Sequence, residues 1–165
     1  MENTNNCAVK GCVGRWICAA IPVFIFLFIA GYVVNHLWLM PIYQQTASLW
    51  RPMEQMKDFF PWLLLYYAAL SLVITALFCK IKKAKMQACA ATGETDCKIG
   101  GKNCPIKFGI CFGAIIGLLL GVTNSAAYIW LPIPGELAIK WLISWIVQGI
   151  GIGLILSFVC KTKKA

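Results

Sequence analysis

Four long apolar runs constrain this chain more than any other feature of its sequence. They cover approximately residues 16–38, 59–79, 108–130 and 137–160. A helix of about 20 apolar residues crosses the roughly 30 Å hydrocarbon core of a bilayer. Lipid accepts only helices or closed barrels, and the sequence lacks the period-2 alternation of a barrel. The runs therefore predict an all-α, polytopic membrane protein with four transmembrane helices.

The distribution of basic residues predicts how these helices are oriented. Twelve of the 15 lysines and arginines, with three acidic residues, flank one set of helix ends, which gives that side a net charge of +9. The opposite side carries three basic and three acidic residues. By the positive-inside rule, both termini and the central loop are cytoplasmic. Because topology accounts for the charge, we expect membrane lipids as partners and no nucleic acid.

Similar segments recur in the two halves of the chain. The second apolar run ends in FCKIKKA at 78–84 and the fourth ends in VCKTKKA at 159–165. On the other side, Trp38 to Ile42 resembles Trp130 to Ile133. These matches predict two helical hairpins that form a parallel repeat.

The repeat defines the predicted organisation of the chain. A first hairpin at 16–84 contains a patterned outer loop at 38–62, and a second, glycine-rich hairpin with a basic C-terminus covers 107–165. The cytoplasmic parts are an N-terminal segment at 1–15 and a loop with cysteines and lysines at 85–106.

Glycines are spaced four residues apart in the second hairpin. Small residues at this spacing allow helix backbones to approach closely within a membrane. The pattern predicts a helix-packing surface whose partner is the other helix of the hairpin, the first hairpin or another subunit. Its members are Gly109, Gly113, Gly117, Gly121, Gly149 and Gly153.

All nine cysteines lie on or near the predicted cytoplasmic side. That compartment is reducing, so we expect free thiols rather than disulfides. A metal or iron–sulfur site is the alternative, but its candidates include no C-x2-C pair and no histidine accompanies them. We therefore expect neither metal nor cofactor. The weak candidates are Cys7, Cys12, Cys89, Cys97 and Cys104.

A few polar residues interrupt the apolar runs. Gln148 falls in the middle of the fourth run and Asn124 in the outer part of the third. An unpaired amide is costly in lipid, so these side chains either form hydrogen bonds between helices or line a small polar cavity. His36, the only histidine, is expected to be a hydrogen-bonded residue beside Asn35 at the outer interface. Charged residues are absent from the centres of the runs, which disfavours a proton pump or an ion-coupled carrier.

Residues 38–62, here called the aromatic segment, contain three tryptophans and three prolines. Tryptophans favour the membrane interface, and the prolines are expected to interrupt the helix and leave a short interfacial helix at 42–50. Two interpretations stay open: docking of a partner, and simple anchoring at the interface. The candidate docking residues are Tyr43, Trp50, Arg51 and Glu54. The first three are aromatic or arginine, residue types that are enriched at interface hot spots.

One pattern in this segment resembles a known group of proteins. It reads Y-x-x-T-A-x-L-W-R-P-x-E from Tyr43 to Glu54, followed by Pro61-Trp62. It is similar to a signature of small, four-span bacterial inner-membrane proteins, a family without an established activity. The resemblance implies a bacterial inner-membrane location and a four-helix fold.

Three functions remain after these exclusions. The first is a non-enzymatic accessory, structural or assembly subunit of a larger membrane complex, with other integral membrane subunits or a second copy as partners. The alternatives are a small oligomeric transporter or channel, and a membrane enzyme that acts on a lipid or thiol. The sequence offers no catalytic constellation, so we expect the protein not to be an enzyme.

Overall fold

The computed structural model describes residues 5–92 and 104–160, with side chains described at 16–52, 54–85, 87 and 106–160. Within these ranges the chain is helical and contains no strand. The α-helices are α1 (Asn5–Val33), α2 (Met40–Gln45), α3 (Met53–Asp58), α4 (Phe60–Thr92), α5 (Cys104–Ser125), α6 (Ala127–Trp130) and α7 (Gly135–Val159). A π-helical segment (Val34–Leu39) and a 3₁₀ turn (Ala47–Leu49) complete the described structure.

Four helical stretches are long and apolar enough to cross a membrane, as predicted. They are Trp16–Gln45, Phe60–Lys85, Ile106–Trp130 and Gly135–Val159. One end of the bundle carries Lys80, Lys82, Lys83, Lys85 and Lys107 and is here called the lysine end. The other, here called the loop end, holds the connections at 46–59 and 131–134.

The first span continues past the point where the sequence predicted its end. Pro41 lies in the first turn of α2, and helical structure runs without a break from α1 through the π-helical segment to Gln45. In a regular helix the proline ring would collide with the carbonyl four residues earlier. The wider π turn before Pro41 changes that spacing. The predicted interfacial helix at 42–50 is therefore wrong, and the aromatic segment is helical over its first eight residues.

The other two prolines of the aromatic segment start helices rather than interrupt them. Pro52 precedes α3 as its N-cap residue, and Pro61 is the second residue of α4. Proline is tolerated in the first turn because the backbone N–H groups there have no partner within the helix. Helix α4 then runs to Thr92, well beyond the end of the first predicted hairpin at residue 84.

The interior of the bundle is apolar towards the lysine end. Its buried side chains come from all four long helices and pack into one cluster: Val23, Leu27, Ile74, Phe78, Phe112, Ile152 and Leu156. The Phe78 ring joins α4 to α5, with its centroid 5.2 Å from that of Phe112 and 5.5 Å from that of Phe108. This half of the bundle is therefore filled by side chains.

Helices α5 and α7 make the most extensive contact in the fold. Gly113 faces Gly149, and Gly109 faces Gly153, so the two helices run antiparallel with their backbones in contact. A Cβ atom at Gly149 would lie 2.6 Å from Cα of Gly117. The structure thus places the glycine stripe of the third span against the fourth span of the same chain.

Candidate functional site

A cavity of about 270 Å³ lies between the four spans, on the loop-end side of the apolar cluster. Each of the four long helical stretches contributes to its wall. The described lining residues are Gly31, Val34, Asn35, Leu39, Tyr43, Tyr66, Tyr67, Asn124, Trp141, Ser144, Trp145 and Gln148. All of them are uncharged, and most carry an amide, hydroxyl or indole group.

The π-helical segment forms one wall of this cavity. Gly31, Asn35 and Leu39 recur every four residues, so they share one face of the first span. Val34 and Asn35 begin the π turn and Leu39 ends it. The first span therefore departs from regular helix at the same residues that line the cavity.

A chain of hydrogen bonds fixes this wall against α7. The indole Nε1 of Trp141 donates to the Tyr43 hydroxyl at 3.1 Å, and that hydroxyl donates to Oδ1 of Asn35 at 3.0 Å. Nδ2 of Asn35 donates to the carbonyl oxygen of Gly31 at 2.7 Å. Each polar group in this chain has a partner, which positions the side chains within the low-dielectric bundle.

Gln148 is the exception on the opposite wall. Its side chain is only 6% exposed, and it makes no hydrogen bond within the part of the chain that the structure describes. Its neighbours direct their own donors elsewhere: Ser144 donates to the Trp141 carbonyl, and Asn124 donates to the Leu120 carbonyl. The Gln148 amide and the Asn124 amide oxygen therefore keep hydrogen-bonding capacity beside the cavity.

Part of the cavity wall is exposed. Asn35 and Tyr66 are the two lining residues that are exposed, Tyr66 to 46%. Tyr66 lies six residues into α4, which corresponds to about 9 Å along the helix axis from its start.

The sequence left open whether Gln148 and Asn124 bond across helices or line a cavity. The structure places both on the wall of one cavity, and the Asn124 side chain bonds within its own helix. His36 lies apart from it, exposed and 4.4 Å from the Tyr32 ring between centroids. Asn35, beside which His36 was expected to form hydrogen bonds, uses its amide for Gly31 and Tyr43 instead.

The four candidate docking residues separate into two pairs. Trp50 packs inside the protein, with ring centroids 5.2 Å from Tyr43 and 6.3 Å from Trp141, and its Nε1 donates to Thr46 at 2.9 Å. Arg51 and Glu54 are exposed. The guanidinium of Arg51 lies 4.4 Å from the Phe59 ring centroid.

The candidate metal ligands lie outside the described side chains. This applies to Cys7, Cys12, Cys89, Cys97 and Cys104. The cysteines whose side chains are described are Cys18, Cys79, Cys111 and Cys160; they lie near the lysine end and form no disulfide with one another. None of the described residues forms a group of three or more possible metal ligands.

Sequence reasoning missed the aromatic part of the cavity wall. The sequence predicted no site role for the residues that form it: Tyr66, Tyr67, Trp141 and Trp145. A signal was present nonetheless: each of the four apolar runs carries polar or amphipathic residues in its loop-end half. Residues at one depth on four neighbouring helices are brought together by the bundle itself.

Comparison of the chain with protein-family models, with curated proteins and with solved structures gives no match in any of the three.

Proposed function

We propose that this chain is a non-enzymatic accessory, structural or assembly subunit of a larger membrane complex. One observation carries the proposal. Every described side chain from Glu54 to Leu63 is exposed, and the main contact of α3 with another element of the described structure is with α4. This part of the aromatic segment therefore contributes little to the bundle and leaves its surface available.

The available surface has the composition of an interface core. It combines apolar and aromatic side chains with an arginine, residue types that are enriched where proteins meet. The exposed apolar members are Leu49, Met56, Phe59, Phe60, Trp62 and Leu63. The charges between them, Arg51, Glu54, Lys57 and Asp58, cancel. Such a surface fits a neighbouring integral membrane subunit whose own surface is apolar within the membrane and polar outside it.

Trp50 holds this surface in a defined position. Its ring is wedged between Tyr43 and Trp141, immediately before the exposed stretch begins. A segment that is already ordered loses less conformational entropy when a partner binds. The internal role of Trp50 thus supports docking by the residues that follow it, rather than by Trp50 itself.

The proposal includes a location, an orientation and a repeat. The resemblance at 43–62 favours a bacterial inner membrane, and the basic residues favour cytoplasmic termini. Two pairs of equivalent residues of the parallel repeat lie close together. Ile42 and Ile133 share one buried cluster. Trp50 and Trp141, each eight residues after the matched isoleucine of its half, have their rings in contact. Equivalent residues meet in this way beside an axis that relates two repeats, which supports the repeat.

The test is a pull-down of tagged protein from membranes solubilised in mild detergent. We expect stoichiometric integral membrane partners with the wild type and their loss with Arg51→Ala combined with Phe59→Ala. The matched control is Trp130→Ala combined with Lys140→Ala, which also removes one aromatic ring and one cation at the loop end. Equal recovery with both double variants, or no partner with the wild type, would favour interfacial anchoring.

The cavity favours the alternative of a small transporter or channel to a limited degree. It gives a polar molecule a place within the membrane. Between the cavity and the lysine end, however, the interior is filled by the apolar cluster around Leu27 and Phe78. Transport through one copy would require those side chains to separate, so the accessory function has the stronger support.

A further inference from the structure

We propose that the cavity binds the uncharged, carbonyl-bearing head group of a membrane-soluble molecule, of the size of one substituted ring such as a quinone. This goes beyond the accessory function and does not depend on it. Four properties of the cavity support this assignment: its charge, its hydrogen-bonding capacity, its size and its exposed wall.

The absence of charge among the described lining residues selects the class of ligand. An ion in a membrane-embedded site needs a partner of opposite charge, because removing it from water is costly. The lining offers amides, hydroxyls and indoles. A neutral molecule with polar atoms matches these groups.

Hydrogen-bonding capacity narrows the class further. Gln148 as a whole residue is more than nine-tenths buried and lines the cavity, and its amide has no partner among the described residues. The hydroxyls of Tyr66 and Tyr67 and the indole N–H of Trp145 likewise form no hydrogen bond within the described ranges, and all three are donors. A surplus of hydrogen-bond donors in the lining favours a ligand that carries hydrogen-bond acceptors, such as carbonyl oxygens.

The volume and lining of the cavity limit the shape of the ligand. A cavity of about 270 Å³ is below the usual range of about 300–1,000 Å³ for drug-sized ligands, so it suits one ring with small substituents. Tyr67, Trp141 and Trp145 give it aromatic walls. Aromatic walls favour a planar ring over a flexible chain.

The exposed part of the wall indicates the route of entry. The exposed lining residues, Asn35 and Tyr66, lie in the loop-end halves of their spans. We place this part of the spans near the boundary between headgroups and hydrocarbon. A molecule with a polar head and an apolar tail occupies this depth in a bilayer. Its head group enters the cavity there while the tail remains in lipid.

The experiment measures thermal unfolding of the purified full-length protein in detergent during titration with two probes. Decylubiquinone has a carbonyl-bearing ring, and dioctanoylglycerol has ester carbonyls without a ring. We expect saturable stabilisation by decylubiquinone alone, as for a ligand that binds only the folded state. Stabilisation by dioctanoylglycerol alone would contradict a ring-shaped ligand and assign the cavity to a lipid ester. If neither probe stabilised the protein, the proposal would be wrong.

Gln148→Leu separates ligand binding from a structural role. We expect about tenfold weaker decylubiquinone binding, since a buried hydrogen bond is lost, while the melting temperature without ligand stays equal or rises. Gln87→Leu makes the same replacement at an exposed position near the lysine end and should bind as the wild type does. Unchanged binding by Gln148→Leu, or a lower melting temperature without ligand, would contradict the assignment.

Discussion

Gly149 shows how little room one residue has at the interface of α5 and α7. An added Cβ atom would lie 2.7 Å from the backbone nitrogen of Gly117 and 2.6 Å from its Cα, and a backbone cannot rotate away as a side chain can. We expect Gly149→Ala to lower the free energy of unfolding by about 1–3 kcal/mol, because the helices must separate. Thermal unfolding in detergent measures the change.

The matched control for Gly149→Ala is Gly135→Ala, at another glycine of α7. A Cβ atom at Gly135 would have its nearest neighbour, Cε2 of Tyr128, at 3.9 Å, an ordinary van der Waals contact. Gly135→Ala should therefore leave stability equal or slightly higher, since alanine has the better helix propensity. If Gly149→Ala and Gly135→Ala lowered the free energy of unfolding equally, close packing at Gly149 would not be the cause of its loss of stability.

Among the elements, the aromatic segment depends on Trp50 for its attachment. This side chain combines two ring contacts with a hydrogen bond to Thr46, which links the segment to α2 and α7. We expect Trp50→Ala to reduce stability by roughly 2 kcal/mol, less than for a fully buried aromatic residue because Trp50 is half-buried. Differential scanning fluorimetry of the purified protein is a suitable measurement.

Trp62 provides the comparison for that measurement. It belongs to the same segment but is 66% exposed, so Trp62→Ala should change stability by only about 0.5 kcal/mol. If Trp62→Ala destabilised the protein as much as Trp50→Ala, the internal attachment would not be the reason.

For the whole molecule, the proposed orientation makes a prediction about labelling. A membrane-impermeant maleimide applied outside intact cells should not react with the wild type, because the sequence predicts all nine cysteines on or near the cytoplasmic side. Glu54→Cys, with a new thiol at an exposed loop-end position, should be labelled. If the wild type were labelled from outside and Glu54→Cys gave no further increase, the orientation would be the opposite of the one proposed.

The sequence was sufficient for the features that depend on local composition. Apolar length predicted four spans, and the spacing of Gly109, Gly113 and Gly117 predicted a close helix contact. The π-helical segment before Pro41 was not predictable in this way, because proline is equally compatible with a helix end. Nor does hydropathy tell which face of a helix Gln148 occupies: that depends on how α7 is rotated against three other helices.

The backbone contact between α5 and α7 also affects the order in which the protein is assembled during synthesis. Both sides of this interface lie in one hairpin, so it can form as soon as α7 enters the membrane. The contact between α1 and α4 in the first hairpin is smaller, and Val23 and Leu27 of α1 have buried neighbours in α7, Ile152 and Leu156. Until α7 is inserted, the face of α1 that carries Val23 and Leu27 therefore lacks these neighbours and is exposed to lipid or to a membrane chaperone.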